Sequence, residues 1–469
     1  MTLSRREFGL GVGAAIIALH TRAALAAPEN GLSIAAIRDI LAARIDAQRN
    51  GVGLVVGVVS PEGRQRVGYG RLAKNDPHTP DADTVFEIAS LTKIFTGLIF
   101  AGMVLSGEIG MKDPLSRHLP GIALPERDGR AITLLDLATH TSGLPQFPDN
   151  PRLPPDAPAD VFQWYLAMET YTEEDLFAFL AGYELPRTPG AQWGYSNVGF
   201  SLLGMALCRR AGVDFETLVT NRILRPLGMH DTAITPTKSM ERRMATPHEL
   251  NLRPVPRQQR SIFAPSGGLL STANNLMIFL HALMDGGHSP VTVANELALA
   301  TRRPGSAPGN EQAIGWEIVP IAGVNACWKV GGSRGCSSVL TYDRATRRGV
   351  VVLGNSDYRV DDIGRHVLVR AAPLRRPFTA VDVAPELLDA YAGSYRLGTL
   401  QIDIVRVGDG IGSKFGQFPP LMLTAIGEAA FLNPEANTEF QFRRDADGRV
   451  TGLALISEGQ PPTELSRVR

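Results

Sequence analysis

Strand-like segments near both ends of the first 370 residues enclose a long run of helical segments, and this order constrains the fold most. A helical spacing over Ile34–Arg49 leads into a β-branched apolar run, Val52–Val59. Helical periodicity recurs at 91–106, 173–182, 198–211, 214–224 and 273–285, and strand-like runs return at 314–319, 326–331, 336–342 and 349–354. We therefore expect an α/β (α+β) three-layer sandwich, in which helices flank a central antiparallel sheet and a helical subdomain is inserted.

The pattern of apolar and polar residues changes after a proline-containing basic segment at Arg370–Pro377, here called the seam. Apolar residues then alternate with polar ones, as at Leu400, Ile402 and Ile404. The dipeptides Asp409-Gly410 and Asp447-Gly448 are typical of hairpin turns. This pattern predicts a separate small all-β domain over residues 377–469, following a larger domain over 27–376.

The first 26 residues resemble a twin-arginine export signal. Arg5 and Arg6 precede an apolar run from Phe8 to Leu19, and Ala24-Leu25-Ala26 has the form of a cleavage site. Because the run is shorter than the roughly 20 residues needed to span a bilayer, we expect cleavage, periplasmic location and no stable membrane span. An uncleaved anchor is the alternative.

Charge and composition exclude several functional classes. The 47 basic residues balance the 47 acidic ones, so no general basic field favours nucleic acid as a partner. Three cysteines are too few for a disulfide framework, and the nine histidines are scattered without an H-E-x-x-H motif. An exported enzyme also lacks a ready supply of ATP or NAD(P)H. Export therefore favours a hydrolysis that needs no cosubstrate.

The first chemical motif is Ser90-Leu91-Thr92-Lys93, which opens a helical apolar stretch. Residues three apart share one face of a helix, so the lysine amine can lie beside the serine hydroxyl. A serine needs an adjacent base to attack a carbonyl, and a neutral lysine at a helix N-terminus can provide it. A serine cap followed by an exposed lysine is the ordinary alternative.

Two further motifs supply polar groups for the same cleft. In Tyr195-Ser196-Asn197, a tyrosine oxygen can transfer protons and an amide can bind a substrate carbonyl, although Asn197 could equally cap the following helix. In Lys329-Val330-Gly331, strand alternation can turn Lys329 towards the cleft, while glycine permits close approach of a substrate. A second K-x-G, Lys414-Phe415-Gly416, lies in the β domain.

The order S-x-x-K, Y-S-N and K-x-G resembles the penicillin-recognising serine hydrolases. The tyrosine motif resembles the branch that contains class C β-lactamases with their DD-peptidase and esterase relatives. The segments Ile132–Pro145, Leu227–Thr232 and Ser266–Thr272 are similar to landmarks of that branch. The resemblance covers about residues 30–370, and the tail resembles the lipocalin-like β module that some members carry.

The resemblance implies roles for particular residues. Ser90 would be the nucleophile, and Lys93 and Tyr195 would share the general base and general acid work. The implied substrate-binding residues are Asn197, Lys329 and Gly331, and the implied oxyanion hole is formed by the backbone N–H groups of Ser90 and Gly332. Neither a metal nor a cofactor is implied.

Departures from the family pattern affect substrate recognition more than mechanism. Val330 stands where relatives usually have a hydroxyl residue that helps to bind a carboxylate. Cys336 replaces a frequent aromatic residue, and a hairpin could pair it with Cys327, although two free thiols are the simpler interpretation.

Other readings of the same residues remain open. Ser333 lies in a formal G-x-S-x-G, but the strand-like sequence that follows argues against a nucleophile elbow. His140 and His230 are interpreted as structural.

We expect a D-alanyl-D-alanine carboxypeptidase or endopeptidase with some β-lactam hydrolysis. A β-lactamase, an esterase and a non-catalytic penicillin or peptidoglycan receptor are the alternatives.

Overall fold

The computed structural model describes residues 31–152, 167–258, 262–287, 289–398, 400–414, 420–433, 438–457 and 461–468. The predicted export signal lies outside these residues. Among the described residues, no helix is both long enough and apolar enough to cross a membrane.

A central antiparallel sheet of eight strands confirms the predicted architecture, with the strand order β2-β1-β12-β11-β10-β9-β8-β7. Its strands are β1 (Gly53–Ser60), β2 (Gly63–Gly70), β7 (Arg303–Pro304), β8 (Glu311–Gln312), β9 (Glu317–Ile321), β10 (Val324–Ser333), β11 (Cys336–Asp343) and β12 (Arg348–Gly354). Two short pairs lie outside this sheet, β3 (Val85–Glu87) with β6 (Leu270–Thr272) and β4 (Glu126–Arg127) with β5 (Arg130–Ala131). The run predicted at 314–319 becomes a strand only from Glu317, because Gly315 adopts a positive φ of 73° and turns the chain.

Helices cover both faces of the sheet, which explains why β1, β11 and β12 are buried along almost their whole length. One face carries the larger apolar cluster and most helices, whereas α1 and α13 pack on the other face. The helices of this domain are α1 (Ile34–Ala42), α2 (Thr92–Leu105), α3 (Leu115–His118), α4 (Leu134–Ala138), α5 (Glu173–Gly182), α6 (Asn197–Ala211), α7 (Phe215–Val219), α8 (Arg225–Leu227), α9 (Lys238–Arg242), α10 (Ala264–Gly267), α11 (Ala273–Met284), α12 (Pro290–Ala300) and α13 (Asp361–Leu368).

Helix α12 was not predicted from the sequence. Its first residues include β-branched side chains, which weaken a helical pattern. Ser289 nevertheless caps the helix by accepting a hydrogen bond from the Thr292 N–H, and Pro290 occupies the first turn. These two residues were the signals available in the sequence.

The C-terminal part forms a closed eight-stranded antiparallel barrel, which confirms the all-β domain that the alternating pattern predicted. Its strands are β13 (Gly393–Leu397), β14 (Leu400–Val407), β15 (Gly410–Lys414), β16 (Leu421–Ala425), β17 (Ala430–Asn433), β18 (Thr438–Arg444), β19 (Val450–Ser457) and β20 (Thr463–Arg467). The short helix α14 (Pro385–Tyr391) contributes Leu388 and Tyr391 to the barrel core. Aromatic side chains fill this core, among them Tyr395, Phe431 and Phe442.

A buried ion-pair network joins the helical segment directly after α1, which contains Arg44, to α13 and to the chain that leads to the barrel. The Arg44 guanidinium lies 2.5 Å from the Asp362 carboxylate, and both side chains are at most 7% exposed. The same carboxylate accepts the Arg375 backbone N–H, while the Arg375 side chain pairs with Asp361. The network therefore fixes the seam residues against the helical layer. The domain boundary at 376/377 stays a prediction.

We expect Asp362→Ala to lower the free energy of unfolding by about 3 kcal/mol, because it leaves the Arg44 guanidinium buried without its counterion. Urea unfolding followed by tryptophan fluorescence measures this change. All four tryptophans precede residue 370, so the signal reports on the sheet-containing part. The exposed pair Arg344–Glu296 is the control, since Arg344→Ala should cost less than about 1 kcal/mol. Equal losses in both variants would contradict a structural role for the buried pair.

Candidate active site

Ser90 lies in a 3₁₀ turn, Ala89–Leu91, immediately before α2 rather than inside that helix. The preceding residue, Ala89, has a φ of 45°, a left-handed conformation that a residue with a Cβ rarely adopts. The Thr92 hydroxyl donates to the Ala89 carbonyl at 2.7 Å and accepts the Leu269 N–H. These contacts hold the strained backbone that presents Ser90.

The Lys93 side chain is completely buried, and its ammonium group has three oxygen neighbours. It donates to the Ser266 carbonyl at 2.6 Å, to the Asn197 Oδ1 at 2.7 Å and to the Ser90 Oγ at 3.2 Å. An ammonium group has three donors, so these contacts use its full capacity. The carbonyl of Ser266, in α10, is a partner that the motifs did not identify.

Tyr195 is the second side chain that contacts the Ser90 hydroxyl. Its hydroxyl donates to the Ser90 Oγ at 2.7 Å. Its ring centroid lies 4.8 Å from the Lys93 Nζ and 5.3 Å from the Lys329 Nζ. Two cations near the ring stabilise negative charge on the phenol oxygen when its proton is transferred. Residue 195 precedes α6, whose cap is Ser196, so Asn197 is not the helix cap and binds the lysine instead.

Lys329 lies on β10 and is only 2% exposed. Among the described residues it has neither a hydrogen-bond acceptor nor an ion-pair partner. Burial lowers the pKa of its amine, although the Glu317 carboxylate acts in the opposite direction. Among the described residues, β9 pairs with β10 only as far as Trp328. The backbone from Lys329 to Ser333 therefore has an edge that no strand of the described chain pairs with. The ammonium group is therefore available to an anion that enters from this edge.

Two glycines bring the strand backbone close to the serine. A Cβ on Gly331 would lie 2.4 Å from the Ile88 carbonyl oxygen and 3.1 Å from the Ser90 nitrogen. Gly332 is exposed, and a Cβ there would meet nothing within 4 Å. The strand therefore runs directly beside the Ser90 amide, with open space in front of Gly332.

His140 lies in contact with this group of residues and is fully buried. Its Nδ1 accepts the Ser196 N–H at 3.1 Å, and its ring centroid lies 4.5 Å from that of Tyr195. Burial, together with the positive charges of Lys329 and Lys93, holds the pKa of the imidazole well below its usual value. A neutral His140 therefore positions the backbone next to Tyr195. The sequence assigned a structural role to His140 but did not show this contact.

The remaining sequence candidates lie away from the serine or have no catalytic surroundings. Val330 packs against the apolar cluster on the opposite sheet face from Lys329. Ser333 ends β10 and is followed by the strand β11, whereas a nucleophile elbow is followed by a helix. The alternative in which Ser333 is the nucleophile of an α/β-hydrolase is therefore wrong. His230 is exposed. Among the described residues, no group of three His, Cys, Asp or Glu residues could hold a metal ion.

All three cysteines are free. Cys327 pairs across the hairpin with Tyr342, whereas Cys336 pairs with Ser333 at its tip. The two cysteines therefore lie at different positions along the hairpin. The hypothesis of a disulfide between Cys327 and Cys336 is therefore wrong, and the preferred interpretation as two free thiols is confirmed.

Stability should fall as the pH drops from about 7.5 to about 5, because unfolded His140 takes up a proton that the folded state excludes. The contribution of His140 is complete above the ordinary histidine pKa and declines below it. In His140→Asn, the side-chain oxygen can still accept the Ser196 N–H, and asparagine tolerates the positive φ of 56° at this position. Urea unfolding across this pH range should give a shallower pH dependence for the variant. Parallel curves would contradict a buried neutral imidazole.

Comparisons with known proteins agree with this fold and this arrangement. The family model described as Beta-lactamase matches residues 37–373. The D-alanyl-D-alanine-carboxypeptidase/endopeptidase AmpH of Escherichia coli K12 is 36% identical over 225 residues, which cover 47% of this chain and 55% of the relative. This chain thus spans about half the length of that relative. A Beta-lactamase of Escherichia coli K12 is 26% identical over 325 residues, covering 62% of this chain and 80% of the relative.

Solved structures show the same architecture. A class C β-lactamase has a TM-score of 0.60 with 21% identity, covering 71% of this chain and 95% of its own. The β-lactamase/D-alanine carboxypeptidase from Yersinia pestis has a TM-score of 0.57 with 26% identity, covering 68% of this chain and 92% of its own. The family match includes the sheet, the flanking helices and all three motifs. This chain therefore belongs to the Beta-lactamase family of serine hydrolases.

Proposed function

We propose that this chain forms an acyl-enzyme on Ser90 and acts as a D-alanyl-D-alanine carboxypeptidase or endopeptidase on cell-wall peptides, with some hydrolysis of β-lactams. The observation that carries the proposal is the position of the Ser90 Oγ, 2.7 Å from the Tyr195 hydroxyl and 3.2 Å from the Lys93 ammonium nitrogen. The AmpH relative, which bears this activity in its name, supports the choice of substrate.

In the proposed acylation, one member of the Tyr195–Lys93 pair has first lost a proton to solvent. This deprotonated pair accepts the proton of the Ser90 hydroxyl while the serine oxygen bonds to the substrate carbonyl carbon. The negative charge on the carbonyl oxygen is stabilised by the backbone N–H groups of Ser90 and Gly332. When the amide C–N bond breaks, the pair returns the proton to the departing D-alanine amine. Water then hydrolyses the ester and regenerates Ser90.

Substrate orientation is assigned to two side chains in this proposal. The Asn197 amide, already hydrogen-bonded to Lys93 through its oxygen, presents its NH₂ group to a substrate carbonyl. The unpaired, buried Lys329 ammonium binds the terminal carboxylate of a D-alanyl peptide or of a penicillin. Val330 has no hydroxyl, and it packs on the other face of the sheet. In this proposal Lys329 therefore binds the carboxylate without help from residue 330.

A class C β-lactamase is the second candidate, since the Escherichia coli Beta-lactamase covers a larger share of both chains than the AmpH relative does. The C-terminal barrel and the valine in the third motif favour the peptidase. Export to the periplasm by the twin-arginine route completes the proposal, on the basis of Arg5, Arg6 and the apolar segment that follows.

Incubation with a penicillin separates these activities. We expect a persistent covalent adduct on the wild-type protein, detected by intact mass, and no adduct on Ser90→Ala. Rapid loss of the drug without an adduct would instead indicate a β-lactamase. Ser333→Ala is the matched control, because its hydroxyl lies on the same strand as Lys329 but is not part of the proposed site, and it should acylate like the wild type. An adduct that survives Ser90→Ala would contradict the proposed nucleophile.

Lys329→Met should raise KM for a D-alanyl peptide with a free carboxylate by about tenfold to a hundredfold, as expected for the loss of a hydrogen bond to a charged group. The methionine keeps most of the buried volume without the charge. The same peptide with an amidated C-terminus is the control, and its KM should change little. Equal effects on both peptides would show that Lys329 acts through packing rather than through the carboxylate.

A further inference from the structure

The turn between β10 and β11 is held by residues outside this hairpin. It consists of Arg334 and Gly335, and Gly335 has a positive φ of 91°. A Cβ added to Gly335 would lie 2.6 Å from the His248 nitrogen and 2.6 Å from the Pro247 Cβ. The chain at 247–248 therefore packs directly against the turn, at a distance that only glycine allows.

Three hydrogen bonds join the turn to two other segments of the chain. The Asp357 carboxylate accepts the Gly335 N–H at 2.5 Å, and the Gly335 carbonyl accepts the His248 N–H at 3.1 Å. The Asp357 N–H donates to the His248 carbonyl at 3.0 Å. Both backbone polar groups of Gly335 are thus bonded outside the hairpin, and their two partners are bonded to each other.

Asp357 lies on the loop between β12 and α13, and its neighbours on both sides are anchored. Before it, the Asn355 carbonyl accepts the Nδ1–H of the buried His248 ring at 3.1 Å. After it, Tyr358 is buried, and its ring centroid lies 6.0 Å from that of Phe378. The loop therefore presents the Asp357 carboxylate from a fixed position.

The geometry of the hairpin relates the turn to the oxyanion hole implied at Gly332. The register pairs Ser333 with Cys336 and Gly332 with Ser337. In a two-residue hairpin, the pair that flanks the turn exchanges backbone hydrogen bonds, and the next pair along the strands does not. The Gly332 N–H therefore points away from β11, towards the edge of β10 that β9 does not cover.

The position of this N–H depends on few contacts. From Lys329 to Ser333, the described chain pairs β10 with β11 on one edge and leaves the other edge without a strand. A strand paired on one edge opens locally more readily than a strand paired on both. The turn, three residues beyond Gly332, is the place where bonds from outside the hairpin hold this end of β10.

We propose that Asp357 is a positioning residue for acylation. Through the Gly335 N–H it fixes the end of β10, and it thereby keeps the Gly332 N–H where the oxyanion forms. The inference rests on the proposed function, because it assumes an acyl-enzyme on Ser90. Asp357 acts through the hairpin and not on the substrate. A hydrogen bond to a carboxylate is stronger than one to a neutral acceptor, which suits a contact that holds a strand end.

Single-turnover opening of a chromogenic β-lactam, with the full-length enzyme in excess, measures acylation whether or not the adduct persists. Varying the enzyme concentration separates the acylation rate constant from the dissociation constant of the first complex. We expect Asp357→Ala to lower the rate constant about tenfold to a hundredfold, since a displaced oxyanion donor costs less than a deleted one. The dissociation constant should change little, because Asn197 and Lys329 remain.

The conservative variant and a matched control separate positioning from general stability. Asp357→Asn keeps an acceptor for the Gly335 N–H and should recover most of the rate. Asp343→Ala is the control, because this buried carboxylate at the far end of β11 accepts the Ala345 N–H at 3.0 Å. Its loss should lower the free energy of unfolding in urea without slowing acylation.

Gly335→Ala disturbs the same contact from the hairpin side, since the new Cβ would meet residues 247 and 248. It should slow acylation as Asp357→Ala does, and it provides the measurement if Asp357→Ala does not fold. An unchanged rate constant in the folded variants, or an equal loss in Asp343→Ala, would overturn the proposal. A weaker first complex with an unchanged rate constant would overturn it as well.

The proposed function fails in a different way. If the wild-type enzyme opens the β-lactam but does not cleave D-alanyl peptides, while Asp357→Ala still slows acylation, the positioning role stands and the peptidase assignment is wrong. If the wild type neither opens the β-lactam nor forms an adduct, the acyl-enzyme and the role of Asp357 are both refuted.

Discussion

The candidate active site depends on one buried cation, the ammonium group of Lys93. Burying an ammonium group is unfavourable unless its donors are satisfied, and Lys93 meets this requirement with oxygens from three separate segments of the chain. These oxygens belong to the turn before α2, to the start of α6 and to α10. The hydrogen bonds from the Lys93 ammonium group therefore hold these three segments close together. The geometry of Ser90 and Tyr195 is a consequence of this packing, because both residues lie next to segments that the lysine joins.

The sequence predicted the layers of the fold because periodicity depends on which side of each element is buried. It located β10, β11 and β12 closely, since each of these strands carries several apolar or β-branched residues and is bounded by turn residues. It missed β2, whose side chains are mostly exposed and include arginines. It also missed α12, where β-branched residues obscured the helical pattern. Local patterns thus identify elements with a strong apolar signal and overlook those that tertiary contacts stabilise.

The three motifs predicted the central residues of the candidate site because each carries an uncommon combination of chemical groups. Contacts made by backbone atoms were not predictable in this way. The Ser266 carbonyl and the unusual φ of Ala89 have no signature in residue type. The contact of His140 with Ser196 also escaped prediction, because it spans 56 residues of sequence and depends on how α4 and α6 pack. Side-chain identity was therefore informative, whereas long-range backbone geometry required the structure.

The left-handed backbone at Ala89 has a consequence for how this site can be reused. The conformation is unfavourable for alanine by itself and persists because Thr92 and the surrounding core hold it. A peptide or a designed helix that contains only the four-residue motif would relax to an ordinary helical start, and the serine would then face a different direction. The reactive geometry belongs to the whole domain, so transplanting it to another scaffold requires the supporting core as well as the motif.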